Sequence, residues 1–200
     1  MLEIIGAILG LIYIYLEYRA SIHLWIVGAI MPLVYTFVYF QADLYAQGSL
    51  QLFYVAAAIY GWGKWRKKRV GESDDSKEIP ITRISLRLFK HFIVIAGFIA
   101  VPLSIILKQF NDPITAGMDA VITGLSLVAM FMLAIKVAEQ WLMWLIVDVI
   151  CVIFYLYLSI NTDTNLYATA GLYTLYSILA IVGYQKWIKL AEEQKNQDKK

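Results

Sequence analysis

The sequence predicts an all-α integral membrane protein with seven transmembrane helices, built as two parallel triple-helix repeats joined by a linker helix. Three observations predict this fold: a composition dominated by apolar residues, seven separate apolar runs, and an internal repeat. Of 200 residues, 60% are hydrophobic and only 16% are charged, whereas a soluble domain has about 25% charged residues. This composition excludes a soluble single-core protein and a disordered chain. The single Cys151 excludes a disulfide scaffold.

Each apolar run approaches the roughly 20 residues that cross a bilayer as a helix. The first charge in the chain is Glu3, which argues against a signal peptide and for a retained first helix. Residues 70–90 are polar and are predicted to form a cytosolic linker in which Arg83, Arg87 and Lys90 share a lipid-facing helical surface. The tail after Lys186 is predicted to be a frayed helix or disordered. The runs are Met1–Tyr18, Ile22–Phe40, Leu44–Trp62, His91–Phe110, Ile114–Ile135, Trp141–Ile160 and Leu166–Tyr184.

The basic residues predict the topology. All of the 17 Lys and Arg except Lys108 fall at the ends of runs one, three, five and seven or in the linker, which places them on one side if there are seven spans. The positive-inside rule then puts the N-terminus outside and the C-terminus in the cytosol. The net charge of +2 is too small to indicate a nucleic-acid partner. Because the spans are apolar, their predicted surroundings are membrane lipid.

An internal repeat relates the two halves of the chain. An offset of 122 aligns Leu44–Trp65 with Leu166–Trp187 without a gap, and further upstream an offset of 119 pairs Trp25 with Trp144. The repeat predicts a first bundle at 1–69, a linker region at 70–113, a second bundle at 114–187 and a tail at 188–200. Two bundles with the same orientation are typical of transporters whose substrate site lies between them near mid-membrane, although a duplicated bundle can also be only an ancestral relic. The ten identical pairs are Leu44/Leu166, Tyr45/Tyr167, Ala46/Ala168, Leu50/Leu172, Tyr54/Tyr176, Ala58/Ala180, Ile59/Ile181, Gly61/Gly183, Lys64/Lys186 and Trp65/Trp187.

Two acidic residues inside the apolar runs are candidate substrate contacts, because charge within the membrane is costly. They are Asp119 in the fifth run and Asp148 in the sixth. Trp144 shares a helical face with Asp148, so an indole and a carboxylate there suit a positively charged ring. The alternative is that each carboxylate only stabilises its own bundle.

Aromatic residues at repeat-related positions extend the candidate set. Trp25 is the predicted repeat mate of Trp144, and either indole could instead belong to an interfacial belt. Tyr54 and Tyr176 are matched mid-span tyrosines and therefore stronger candidates than tyrosines near the ends. Three other tryptophans lie beside basic residues and are predicted to form the interfacial belt: Trp62, Trp65 and Trp187.

Several signatures are absent from the sequence. It has no GxxxxGK[ST] for nucleotide hydrolysis, no HExxH and no GxSxG. Span seven has no lysine for a retinal Schiff base before Lys186, and His23 and His91 do not form a metal-ligand pattern. We therefore predict no catalytic residue, no metal and no cofactor. A membrane receptor or scaffold is the alternative to a transporter, and an intramembrane enzyme is the least favoured class.

The sequence resembles the Pnu-type vitamin transporters, which include nicotinamide riboside (PnuC), thiamine (PnuT) and riboflavin carriers. The motifs that carry the resemblance are Leu50-Gln51-Leu52-Phe53-Tyr54 leading to Ile59-Tyr60-Gly61-Trp62 and Trp65; Asp119 with Thr123 and Ser126; Lys136 to Glu139-Gln140-Trp141 and Trp144 to Asp148; and Gly183 to Trp187.

The resemblance implies a SWEET-like 3+1+3 fold in a bacterial inner membrane, a homo-oligomer such as a trimer, and facilitated diffusion. A cytosolic kinase would then trap the vitamin by phosphorylation. The resemblance also places substrate contacts at Trp25, Gln140 and Trp144 and, as further candidates, at Asp119, Asp148 and Tyr176. Gln140 replaces a usual Asn, and Met130 replaces a usual Gln. Since loss of an amide weakens recognition of a carboxamide, the sequence favours thiamine, with nicotinamide riboside or riboflavin as the alternative.

Overall fold

A computed structural model describes residues 2–41, 45–66, 79–110, 112–162 and 165–197, and these residues form seven helices. The first nine residues of the predicted cytosolic linker, 70–78, lie outside the described residues, as do 1, 42–44, 67–69, 111, 163–164 and 198–200. The helices are α1 (Leu2–Tyr18), α2 (Leu24–Gln41), α3 (Tyr45–Trp65), α4 (Leu86–Leu107), α5 (Pro113–Ala134), α6 (Gln140–Asn161) and α7 (Tyr167–Gln197).

The chain divides into two compact units. Unit 1 comprises Met1–Ile81, Leu133–Lys136 and Leu190–Lys200, and within it α2 packs along α3 and against α1. Unit 2 comprises Thr82–Met132 and Val137–Lys189 and contains α4, most of α5, α6 and most of α7. The short turn between α5 and α6 therefore contributes residues to both units.

Among the described residues, four helices are long and apolar enough to cross a membrane: α4, α5, α6 and α7. Shorter apolar segments occur in α1 (Leu9–Tyr18) and α2 (Leu24–Phe37). Large apolar side chains such as Phe98, Val101 and Ile105 of α4 are exposed. In water such a surface would be unfavourable, but in lipid it is the expected outer face of a spanning helix.

The segment before α4 differs from its prediction. The helix starts at Leu86, five residues earlier than the predicted span, and Ser85 caps it by accepting a hydrogen bond from the Leu88 N–H. Arg83 precedes the helix, so it does not share a helical face with Arg87 and Lys90. Instead Arg83 Nε lies 3.4 Å from Glu139 Oε1, and the Ile84 N–H donates to Glu139 Oε2. A buried carboxylate therefore holds the extended segment that enters α4.

The C-terminal tail is also more regular than predicted. α7 continues to Gln197 as one helix of 31 residues. The side chain of Gln194 accepts a hydrogen bond from the Ile81 N–H within unit 1. This contact gives the C-terminal extension of α7 a partner, and so it remains helical.

Candidate functional site

A tryptophan pair forms the core of unit 1. Trp25, in the first turn of α2, meets Trp65, at the end of α3, edge to face, with ring centroids 5.6 Å apart. Trp25 is 2% exposed and Trp65 is fully buried. Gly61 of α3 makes this packing possible, since a Cβ there would lie 2.4 Å from Trp25 Cζ2. The indole takes the volume that any side chain at position 61 would need.

Unit 2 contains the same arrangement. Trp141, in the first turn of α6, meets Trp187 of α7 edge to face, with centroids 6.2 Å apart. A Cβ at Gly183 would lie 2.6 Å from Trp141 Cε2. The glycine and tryptophan of α3 and α7 are thus equivalent in geometry as well as in sequence.

The structure corrects the predicted partner of Trp25. Trp25 is equivalent to Trp141, an offset of 116 residues, and the prediction of Trp144 was wrong by three. Ala20 and Lys136, related by the same offset, both have positive φ, 51° and 58°. The hydrogen bonds of the two turns match in this register: Ser21 N–H to Leu16 O and Val137 N–H to Met132 O, Leu24 N–H to Ser21 O and Gln140 N–H to Val137 O, and Trp25 N–H to Ile22 O and Trp141 N–H to Ala138 O.

The predicted interfacial belt is also wrong for two of its three members. Trp65 and Trp187 are fully buried, and only Trp62 is exposed. The Trp65 indole N–H lies 3.2 Å from Leu133 O and 3.1 Å from Ala134 O, two carbonyls in the last turn of α5. Trp65 therefore fixes the α5 terminus within unit 1.

Lys136 completes that cluster. Its ammonium lies 4.2 Å from the centroid of the Trp65 ring, although the residue is only 2% exposed. A desolvated ammonium over an indole face is favourable by roughly 2 kcal/mol. The positive φ of Lys136 directs the chain so that this contact forms at the tight turn before α6.

A second cluster lies deeper along α6 and α7 of unit 2. Tyr155 of α6 stacks on Tyr173 of α7, with centroids 5.4 Å apart, and Tyr173 meets Tyr176 edge to face at 5.8 Å. Asp148 is buried and lies within electrostatic range of both α7 tyrosines. Asp148 and Tyr155 fall seven residues apart and share one face of α6. We call Asp148, Tyr155, Tyr173 and Tyr176 the acidic–aromatic cluster.

The seven predicted site residues divide between the units. In unit 1, Trp25 is buried against Gly61, and Tyr54 is half-buried with its ring 5.9 Å from that of Phe53. In unit 2, Asp148 and Tyr176 lie in one cluster. The remaining predicted contacts of unit 2 are a fully buried Gln140 at the start of α6, a half-buried Trp144, and an exposed Asp119 within range of Tyr155.

Sequence reasoning missed Tyr155 and Tyr173. A signal was available, because Tyr155 lies two turns from Asp148 on the same α6 face, and Tyr173 is one turn before the predicted Tyr176.

Among the described residues, no group of three or more His, Cys, Asp or Glu side chains is arranged to hold a metal ion. The side chains of the acidic–aromatic cluster present one carboxyl group and three phenol rings.

Comparison with known proteins identifies the family. A sequence profile described as "Nicotinamide mononucleotide transporter" matches residues 1–189. The chain belongs to this family. The resemblance to Pnu-type vitamin transporters is therefore confirmed.

Named relatives cover most of the chain. It is 27% identical over 214 residues to the nicotinamide riboside transporter PnuC of Escherichia coli strain K12, covering 96% of this chain and 87% of the relative. It is 28% identical over 190 residues to the riboflavin/roseoflavin transporter RibM of Streptomyces davaonensis, covering 92% and 83%. A solved structure, titled "Crystal structure of the Vitamin B3 transporter PnuC", matches with a TM-score of 0.67 and 22% identity over 94% of this chain and 80% of that chain. The helical membrane fold of this family is thus the fold of this chain.

Proposed function

We propose that the protein transports nicotinamide riboside across the membrane. The observation that carries the proposal is the similarity to a nicotinamide riboside transporter along nearly the whole chain. The family match over residues 1–189 agrees with it. The substrate is a water-soluble vitamin composed of a ribose and a flat nicotinamide ring. The phenol and indole rings of α6 and α7 suit such a ring.

Thiamine, which the sequence favoured, is replaced in this proposal. Neither relative described above is named for thiamine. The preference depended on losing an amide at Met130, but the amide of Gln140 is retained. Both vitamins have cationic rings, so the carboxylate argument alone did not separate them.

Transport by this chain is passive. The sequence has no nucleotide-hydrolysis motif, and a substrate moving down its gradient needs none. The N-terminus lies outside a bacterial inner membrane and the C-terminus in the cytosol, since the basic residues concentrate on one side. Two triple-helix repeats in the same orientation, with α4 as the linker, provide the alternating-access machinery. A cytosolic kinase then phosphorylates the vitamin and prevents its return, and the working form is a homo-oligomer.

Riboflavin is a second candidate, because RibM is slightly more identical to this chain than the E. coli PnuC. The two vitamins differ in a way that an assay can use: the nicotinamide ring is positively charged, whereas the flavin ring is neutral and larger.

A binding titration tests the proposal. Purified protein in detergent is titrated with nicotinamide riboside, riboflavin and thiamine by isothermal calorimetry, with adenosine as a nucleoside control. Saturable binding of nicotinamide riboside, tighter than that of the other three by about tenfold or more, supports it. Tighter binding of riboflavin supports the second candidate. Binding without uptake into vesicles indicates a receptor, and no binding of any of these solutes contradicts transport of this class of vitamin.

A further inference from the structure

Asp148 is a buried acid with no partner among the residues that the structure describes. The residue is 6% exposed, and burial is the one influence found on its carboxyl group, with no hydrogen bond or ion pair from a described residue. A buried ionised carboxylate without a partner is strongly unfavourable in an apolar medium. A compensating positive charge would have to come from a neighbouring residue.

The helices around Asp148 do not supply that charge. α5 and α6 contain no Lys, Arg or His, and α7 contains none before Lys186. The other basic residues of unit 2 lie near the ends of α4, such as Lys90 and Lys108, or closer to the α6 entrance, such as Arg83. In α5, in α6 and in α7 before Lys186, the charged residues are therefore both acidic: Asp119 and Asp148.

The same location is rich in aromatic faces. The Tyr155 and Tyr173 rings stack at 5.4 Å with an interplanar angle of 23°, and Tyr176 stands at 82° to Tyr173. Phenol faces carry negative electrostatic potential and attract cations. A carboxylate beside phenol rings would attract a flat positive ring more strongly than a neutral one.

We infer that Asp148 is the counter-ion for the substrate ring, so that the acidic–aromatic cluster selects a positively charged aromatic ring over a neutral ring of the same shape. This inference depends on the proposed function, because it names the feature of the vitamin that the protein recognises. The pyridinium of nicotinamide riboside carries such a charge. Its reduced dihydropyridine form has the same ribose and carboxamide without the charge.

The alternative is a protonated Asp148 that only packs between α6 and α7. A protonated carboxyl contributes equally to both forms of the ligand, whereas a carboxylate favours the cation alone. Comparing the two redox forms of one ligand separates these roles, since shape and hydrogen-bonding groups away from the ring nitrogen are nearly constant.

The experiment measures calorimetric affinity for the oxidised and reduced ribosides with wild-type protein, Asp148→Asn and Asp112→Asn. Asp112→Asn is the matched control, because Asp112 is an exposed acid outside the spans. We expect wild-type protein to bind the cation at least about tenfold more tightly than the neutral form. Asp148→Asn should weaken cation binding by about tenfold or more and change neutral binding by less than about twofold, and Asp112→Asn should change neither.

Four results overturn the inference. Nearly equal wild-type affinities for the two forms do so without any variant, which keeps the test valid if Asp148→Asn does not fold. Equal losses for both forms in Asp148→Asn assign the residue a structural role. If wild-type protein binds riboflavin and neither riboside, and Asp148→Asn leaves that binding unchanged, the inference fails while vitamin transport stands. If it binds no vitamin, both fail.

Discussion

Replacing Gly61 by alanine tests the tryptophan packing of unit 1. The new Cβ would lie 2.4–2.5 Å from three atoms of the Trp25 ring, Cζ2, Cε2 and Cη2. Ordinary carbon contacts are about 3.5–4.0 Å, so the overlap is about 1 Å or more. Overpacking of this kind costs about 1–3 kcal/mol. The change of glycine to alanine in a helix interior gains about 1 kcal/mol.

Gly63 provides the matched control on the same helix, because a Cβ there meets nothing within 4 Å. The helix-propensity gain is common to both variants, so Gly61→Ala should be less stable than Gly63→Ala by about 1–3 kcal/mol. For a chain of this length that difference lowers the melting temperature by about 2–12 °C. The assay is thermal unfolding of purified protein in detergent, followed by size-exclusion chromatography.

Trp25→Phe should rescue Gly61→Ala. The three contact atoms belong to the outer ring of the indole, which phenylalanine lacks. A double-mutant cycle should therefore give a coupling energy of at least about 1 kcal/mol. The equivalent pair in unit 2 is Gly183→Ala with Gly171→Ala as its control. Equal stability of Gly61→Ala and Gly63→Ala would refute the packing argument.

Three further predictions concern the turns and caps. Glu139→Ala removes the acceptor of the part-buried Ile84 N–H and should destabilise the protein by about 1–3 kcal/mol; faster hydrogen exchange at Ile84 checks it, and unchanged exchange would contradict the contact. Lys136→Gly relieves a positive φ but loses the contact of the ammonium with the Trp65 ring. Its melting temperature should therefore fall below that of Ala20→Gly, which relieves the same backbone strain and loses no such contact. The reverse order would count against the cation–π contact. Hydrogen bonds from the side chain and backbone of Thr115 lower the pKa of Asp112. The ionised Asp112 carboxylate therefore stabilises the folded protein fully at neutral pH, and this stabilisation is lost as the pH falls through the lowered pKa. The difference in melting temperature between wild type and Asp112→Asn should therefore shrink below about pH 4, and a constant difference would contradict this origin.

The helical class and the α3–α7 repeat could be predicted from sequence, because hydropathy and an ungapped set of identities carry them directly. The register of the other half of the repeat could not. The equivalence of Ala20 and Lys136 is one of backbone conformation, with φ of 51° and 58°, and the two residues share no side-chain chemistry. Trp25 could be aligned with either Trp141 or Trp144, and a single identity did not decide between them.

The buried tryptophans show why position near a basic cluster misleads. Trp65 and Trp187 lie beside lysines and arginines, as interfacial residues do. Each nevertheless packs against a second tryptophan, Trp25 or Trp141, and the glycine four residues before it leaves space for that second ring. The repeated Gly61 and Gly183 could have indicated this packing. The cost of charge in lipid and the repeat pointed to Asp148 and Tyr176, which lie in one cluster; their role as substrate contacts stays a prediction. Tyr155 and Tyr173 were missed among the chain's fourteen tyrosines, because their spacing from Asp148 and Tyr176 does not by itself show that the two rings stack across α6 and α7.

Uptake by reconstituted vesicles is the most direct test of vitamin transport. Purified protein in lipid vesicles without nucleotide should admit labelled nicotinamide riboside until the inside and outside concentrations are equal. It should also release the label when the outside is diluted. No uptake above protein-free vesicles, or accumulation beyond equality that requires ATP, would contradict passive transport of this vitamin.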